Sequence, residues 1–128
     1  MTGFREPPRG VAVSGYTPLL QSTFEWDDDY GAEGFPDIHL ARLEAVGMKV
    51  SVVKGEAGSI MPPHAHSHGA ITYVVEGEIE IDGITYKPGD AAVCPGMNRG
   101  QGSVTFLTDG TYLTIRRSED EMRVWDQW

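Results

Sequence analysis

Three of the four histidines in this chain fall within five residues, at His64, His66 and His68, inside the run GSIMPPHAHSHGAITYVVEG from Gly58 to Gly77. On an extended strand, residues i and i+2 project to the same side. His64 and His66 therefore present two imidazoles to one point. Converging neutral imidazoles suit Zn, Fe, Mn, Ni or Cu. A catalytic metal site generally needs about three protein ligands and an open position, so further donors are sought. His68 lies two residues beyond His66. His39 sits in an earlier β-type segment, where its ring would enter the barrel beside Ala41 and Leu43. Gln101 and Asn98 offer amide oxygens, which are weaker ligands. Burying two imidazoles with no partner costs about 1–3 kcal/mol each, so the pair is expected to have a use; without a metal it would serve as a proton shuttle or polar lining. Tyr73 is a candidate phenol donor and Arg99 a candidate partner for a substrate carboxylate. No Ser-His-Asp or Cys-His nucleophile pattern and no phosphate loop stands out.

The elements that must position these residues are β-strands. Sixteen glycines and eight prolines punctuate short segments at intervals typical of a sandwich or barrel. Strands are expected at residues 38–43, 48–54, 59–66, 70–76, 78–81, 84–86, 91–94, 104–107 and 112–116. Met48, Val50 and Val52 alternate with Lys49, Ser51 and Val53, and Ile79 and Ile81 alternate with Glu78, Glu80 and Asp82. A period of two marks strands with one wet face. Asp82-Gly83, between Ile81 and Ile84, is a two-residue hairpin signal. Residues 1–35, with Tyr16, Phe24, Trp26, Tyr30 and Phe35 beside Asp27-Asp28-Asp29, read as an arm packing across a barrel of residues 36–117 or across a neighbour. Residues 118–128 form a tail. Ser118 and Glu121 make a capping-box pattern that predicts a short helix with Met122, Trp125 and Trp128 on one side.

At 128 residues the chain is expected to form one domain. A net charge of −9 and a pI near 4.7 argue against nucleic acid, since an acidic surface gains nothing from counterion release. No apolar run approaches a membrane span, and the first ten residues lack an apolar secretion segment. Cys94 is the single cysteine and forms no internal disulfide, which agrees with a reducing compartment. A cytoplasmic location is expected.

The histidine run resembles the first motif of the cupin superfamily, G-x5-H-x-H-x3-4-E-x6-G. Gly58, His64, His66 and Gly77 match it, and Tyr73-Val74-Val75-Glu76-Gly77-Glu78 is similar to the apolar run closed by Glu-Gly-Glu in that family. In the second motif, G-x5-P-x-G-x2-H-x3-N, Gly89 and Pro95 match. The resemblance covers about residues 48–116. Two ligand positions depart from it: Ala70 stands where the motif has its acid, and Gly100 where it has its last histidine. Met97 and Val104 replace the motif's second glycine and asparagine. The HxH pair and the lead-in Trp26…Phe35-Pro36-Asp37-Ile38 are also similar to cupins of the dihydroxyacetophenone-dioxygenase and anti-sigma-factor type.

The resemblance implies an all-β antiparallel jelly-roll barrel, pairing as a homodimer, that acts on a small molecule. It implies a metal-dependent enzyme holding Fe, Zn, Mn or Ni, with a dioxygenase acting on a diketone- or hydroxyketone-like substrate as the leading expectation. A metal-free isomerase or cyclase using the histidine pair as acid and base stands beside it. So does a non-catalytic binding or sensor barrel. Catalytic candidates are His64, His66, His68, Tyr73 and Arg99; metal candidates are His64, His66, His68, Gln101 and His39.

Overall fold

The computed structural model describes residues 17–27, 38–96, 99–101 and 103–124. Its strands are β1 (Trp26–Asp27), β2 (Ile38–Ala45), β3 (Met48–Gly55), β4 (Ile60–Met61), β5 (His64–His66), β6 (Ala70–Glu76), β7 (Ile79–Ile81), β8 (Ile84–Tyr86), β9 (Ala91–Cys94), β10 (Arg99–Gln101), β11 (Val104–Phe106), β12 (Gly110–Arg117) and β13 (Met122–Val124). Among the described residues there is no α-helix, only a single 3-10 turn at Gln21–Thr23. The strands form an antiparallel jelly roll of three sheets, ordered β1-β2-β3-β12-β6-β9, β10-β5-β13 and β4-β11-β7-β8.

Turn chemistry closes the hairpins. Asp82 and Gly83 both take positive φ, 52° and 81°, as a two-residue turn of this hand requires. Val46 and Gly47 do the same between β2 and β3, at 49° and 76°. Val46 is β-branched and 97% exposed, an unfavourable choice for that backbone. The expected strand 59–66 divides into β4 and β5 around Pro62-Pro63, because proline donates no ladder hydrogen bond.

The core gathers Ile38, Leu40, Val53, Met61, Val74, Ile79, Ile81, Val104, Phe106 and Tyr112, with Phe106 and Tyr112 stacked at 5.7 Å between ring centres. Register fixes what else faces inward. Leu40, Val53, Tyr112 and Val74 form one inward row. Two residues along the same strands lies Ser51–Thr114–Thr72–Ala92, and beyond it the pair Lys49–Arg116. The interior thus grades from apolar to polar along the barrel.

Both chain ends depart from the sequence expectation. Residues 118–121 form a turn, with the Asp120 N–H donating to the Arg117 carbonyl, and β13 pairs with β5 where a helix was expected. The capping pattern is overridden because Ser67 offers Glu121 a hydroxyl acceptor (2.8 Å) and its own N–H donates to the Glu121 carbonyl (3.0 Å). Trp125 and Trp128 lie outside the described residues. Of the expected arm, β1 adds to the main sheet by pairing Trp26 with Ala41, beneath the Lys54 ammonium, 5.1 Å from the indole centre. The rest of that arm lies outside the described residues, apart from 17–25.

Candidate functional site

Strand β5 is three residues long and buried throughout, lying between β10 and β13. His64 is 6% exposed and His66 is fully buried. Their ring centres are 5.1 Å apart and the planes nearly perpendicular, at 82°. The i, i+2 spacing therefore does place the two rings together inside the barrel.

Each ring is tied back through Nδ1. His64 Nδ1–H donates to the Pro62 carbonyl at 3.1 Å. His66 Nδ1–H donates to the Asp120 carboxylate at 2.8 Å. A carbonyl and a carboxylate only accept, so in the neutral rings both Nε2 atoms carry the lone pair. His66 Nε2 is buried and has no hydrogen-bond partner. Burial pushes the His64 pKa below its ordinary value, against a smaller opposing effect of its bond to Pro62, and keeps that ring neutral near pH 7.

Asp120 is the residue that sequence reasoning missed. It is fully buried. One carboxylate oxygen takes His66 Nδ1 and an Arg116 guanidinium nitrogen (3.0 Å); the other takes the His68 backbone N–H (2.7 Å). Burial alone raises its pKa, but the bonds from His68, His66 and Arg116 outweigh it and hold the carboxyl below its ordinary value. Nothing in the acidic run Glu119-Asp120-Glu121 singles Asp120 out. Only the turn before β13 points it 54 residues back along the chain to His66.

The side chains of His39, Tyr73 and His68 are not brought to this point. His39 alternates with the core residues Ile38 and Leu40, so it faces outward, in a groove with Lys54, Glu76 and Asp109. Tyr73 alternates with buried Thr72 and Val74 and is 41% exposed on the outer face. Both corrections follow from the parity of the strand. His68 is exposed, its Nδ1 2.8 Å from the Ser67 hydroxyl. Arg99 and Gln101 occupy the register positions opposite His66 and His64, while Gly100 stands opposite Ala65. The motif gap at Gly100 therefore falls beside neither histidine.

These donors fit half of a metal site. Two imidazoles binding one ion at about 2.0–2.1 Å place their ring centres roughly 5 Å apart, which agrees with the observed pair. Nδ1 bonds to a carboxylate and a carbonyl are the supports that ligating histidines ordinarily have. No group of three His, Cys, Asp or Glu suited to a metal ion occurs among the described residues, and Asp120 is occupied with Nδ1. Gln101 is the sequence-proposed donor that register keeps beside the pair.

No protein-family model matches this sequence, and no curated protein does. Solved structures match along most of its length. A polyketide cyclase from Streptomyces resistomycificus is 16% identical, with 88% of this chain and 87% of that one covered and a TM-score of 0.70. A sugar phosphate isomerase of the cupin superfamily from Silicibacter pomeroyi is 20% identical over 87% and 83%, with a TM-score of 0.69. An acetylacetone dioxygenase from Acinetobacter johnsonii is 12% identical over 97% and 86%, also at 0.69. Barrel, inward histidine pair and these likenesses together show that the chain has the fold of the cupin superfamily.

Proposed function

We propose that this protein is a metal-dependent enzyme acting on small oxygenated organic molecules, with His64 and His66 as Nε2 ligands and Gln101 as a further donor. The leading assignment is a dioxygenase-type oxidoreductase acting on a diketone- or hydroxyketone-like substrate. One observation carries the metal assignment: both rings are anchored through Nδ1, leaving paired lone pairs of which one is buried without a partner. A bound Fe, Zn, Mn or Ni ion would supply Lewis acidity at a carbonyl oxygen and, for Fe, redox chemistry with O2. The chain's own part is to fix both ring orientations and to exclude bulk water from them. Likeness to the acetylacetone dioxygenase supports the direction of the substrate assignment.

A second reading draws support from Asp120. A carboxylate that orients an imidazole through Nδ1 leaves Nε2 as a general base. A metal-free isomerase or cyclase would use that arrangement, in line with the isomerase and cyclase among the similar structures. Elemental analysis of untagged protein separates the two. About one equivalent of a transition metal supports the first; less than about a tenth, with no tight binding on titration, overturns it. Unchanged turnover in His64→Ala overturns any catalytic role for the pair, whereas a wild-type protein that binds small oxygenated molecules without turning them over is a non-catalytic binding barrel.

The remaining assignments are proposals of the same kind: a small-molecule substrate, no nucleic-acid or membrane partner, a cytoplasmic location and a homodimer. No helix among the described residues is long and apolar enough to cross a membrane. The homodimer draws support from Ile71, Tyr73, Val75 and Val93, all at least 41% exposed on the outer face of β6 and β9.

A further inference from the structure

A cavity of about 270 Å³ opens on the polar end of the inner sheet face, lined by Arg42, Glu44, Lys49, Ser51 and Arg116 among others. Its volume lies near the lower end of small-molecule sites, roughly 300–1,000 Å³. Ser51 and Arg116 also line a second, inner cavity of about 20 Å³ that His64 borders, room for about one water-sized group. The two cavities therefore share Ser51 and Arg116 as a common wall, with His64 on the inner side.

The cations of the outer cavity differ in what they already meet: Arg116 pairs with Asp120, Arg42 lies 3.9 Å from Asp27, and Glu44 lines the same cavity opposite Lys49 in register. The Lys49 ammonium donates to the Asp120 backbone carbonyl at 3.2 Å and makes no ion pair among the described residues. The Arg116 side chain is only 9% exposed, and although one guanidinium nitrogen meets Asp120, its Nε–H is buried without an acceptor. A buried donor left unmade is costly, and guanidinium and ammonium groups bind carboxylates strongly through charge-assisted bonds. Arg42 adds a cation at the rim, beside the Asp27 carboxylate with both side chains about half exposed. These cations are concentrated here in a chain whose net charge is −9.

We infer that Lys49 and Arg116, with Arg42 at the entrance, form a subsite for the carboxylate of a small oxygenated acid, holding its adjoining carbonyl toward His64. This deepens the proposed function and rests on it for the reaction, but the binding itself requires no metal. Arg116 serves both ends: NH1 holds Asp120 behind His66, and the same guanidinium borders the cavity.

The test compares 2-oxobutanoate with the near-isosteric neutral 2,3-pentanedione and with inorganic phosphate, on protein freed of metal by a chelator that is then removed. Backbone amide shifts are followed in a two-dimensional NMR titration. The expected result is saturable shifts around residues 49–51 and 114–116, with the oxo acid bound about tenfold or more tighter than the diketone. Lys49→Met should weaken the oxo acid about fivefold or more and Lys49→Arg restore most of it, with the diketone unaffected. Arg42→Gln, exposed and therefore safe for folding, should weaken it about twofold. Equal binding of acid and diketone, shifts confined to other strands, or an unchanged Lys49→Met overturns the subsite. Binding of phosphate without the oxo acid overturns the carboxylate assignment. Failure of the metal reading would instead appear in elemental analysis and leave these shifts in place.

Discussion

Around Phe106 the barrel interior is hydrocarbon: Ile38, Val53, Val74, Ile79 and Val104 are all at most 1% exposed, and a Cβ on Gly55 would come within 2.5 Å of the Phe106 ring. Around Asp120 the same sheet turns inward Ser51, Thr114, Thr72, Lys49 and Arg116 against two buried histidines. The first region is held by close packing, where shape and volume matter. The second is held by hydrogen-bonded charge, where every group depends on its partner. The strands themselves do not change; only the residues at inward parity do. Apolar packing and hydrogen-bonded charge thereby occupy opposite ends of one barrel.

Substitutions can separate the two ends. The largest effect is expected from His66→Ala, which should lower bound transition metal from about one equivalent to below about a tenth while the far-ultraviolet dichroism stays that of a β protein. Phe106→Ala should cost about 3–5 kcal/mol of unfolding free energy in urea, with metal affinity retained in the folded fraction. If it removed metal binding from folded protein, the two ends would not be independent. Asp120→Asn keeps the shape but loses the charge, and should weaken metal binding about 10–100-fold; long-range nitrogen-15 spectra of the metal-free protein should show His66 leaving its Nδ1–H form. Val46→Asn, at the exposed positive-φ turn, should raise stability by about 1 kcal/mol and leave ligand binding untouched.

Acid should act on the polar end first. The His64 pKa is depressed in the folded state by burial. The unfolded chain therefore binds the extra proton first, and stability falls as pH drops below about 6.5 toward the folded value. Asp120 is depressed relative to its unfolded value as well, so its contribution is intact above about pH 3.9 and is lost as pH falls below that through the folded value. Thermal melts of the metal-free protein between pH 8 and 3 should show both declines. His64→Gln should flatten the upper one alone.

Much of the fold was legible because β-strands announce themselves by turns and by a period of two. Nine strands were expected; β6, β8 and β9 match residue for residue. The three strands not expected, β1, β10 and β13, are two or three residues long, too short to show periodicity. Parity was harder. On β3 the more apolar set, Met48, Val50 and Val52, faces outward half-buried, while Ser51 faces in, because the neighbouring strands supply a polar row there. The same ambiguity placed His39 inward and Tyr73 in the barrel, when both stand on the outer face.

For the site, local sequence determined the pairing of His64 with His66, since a two-residue spacing on a strand needs no distant partner to align two rings. The bond from His64 to the Pro62 carbonyl is local as well, whereas tertiary structure alone decided the tautomer of His66 and the surroundings of both rings. Asp120 reaches His66 only after β13 pairs with β5, and Lys49 and Arg116 become neighbours only through the register of β3 and β12. Alternation along a strand is a property of adjacent bonds, whereas a hydrogen bond spanning 54 residues exists only once the barrel has closed.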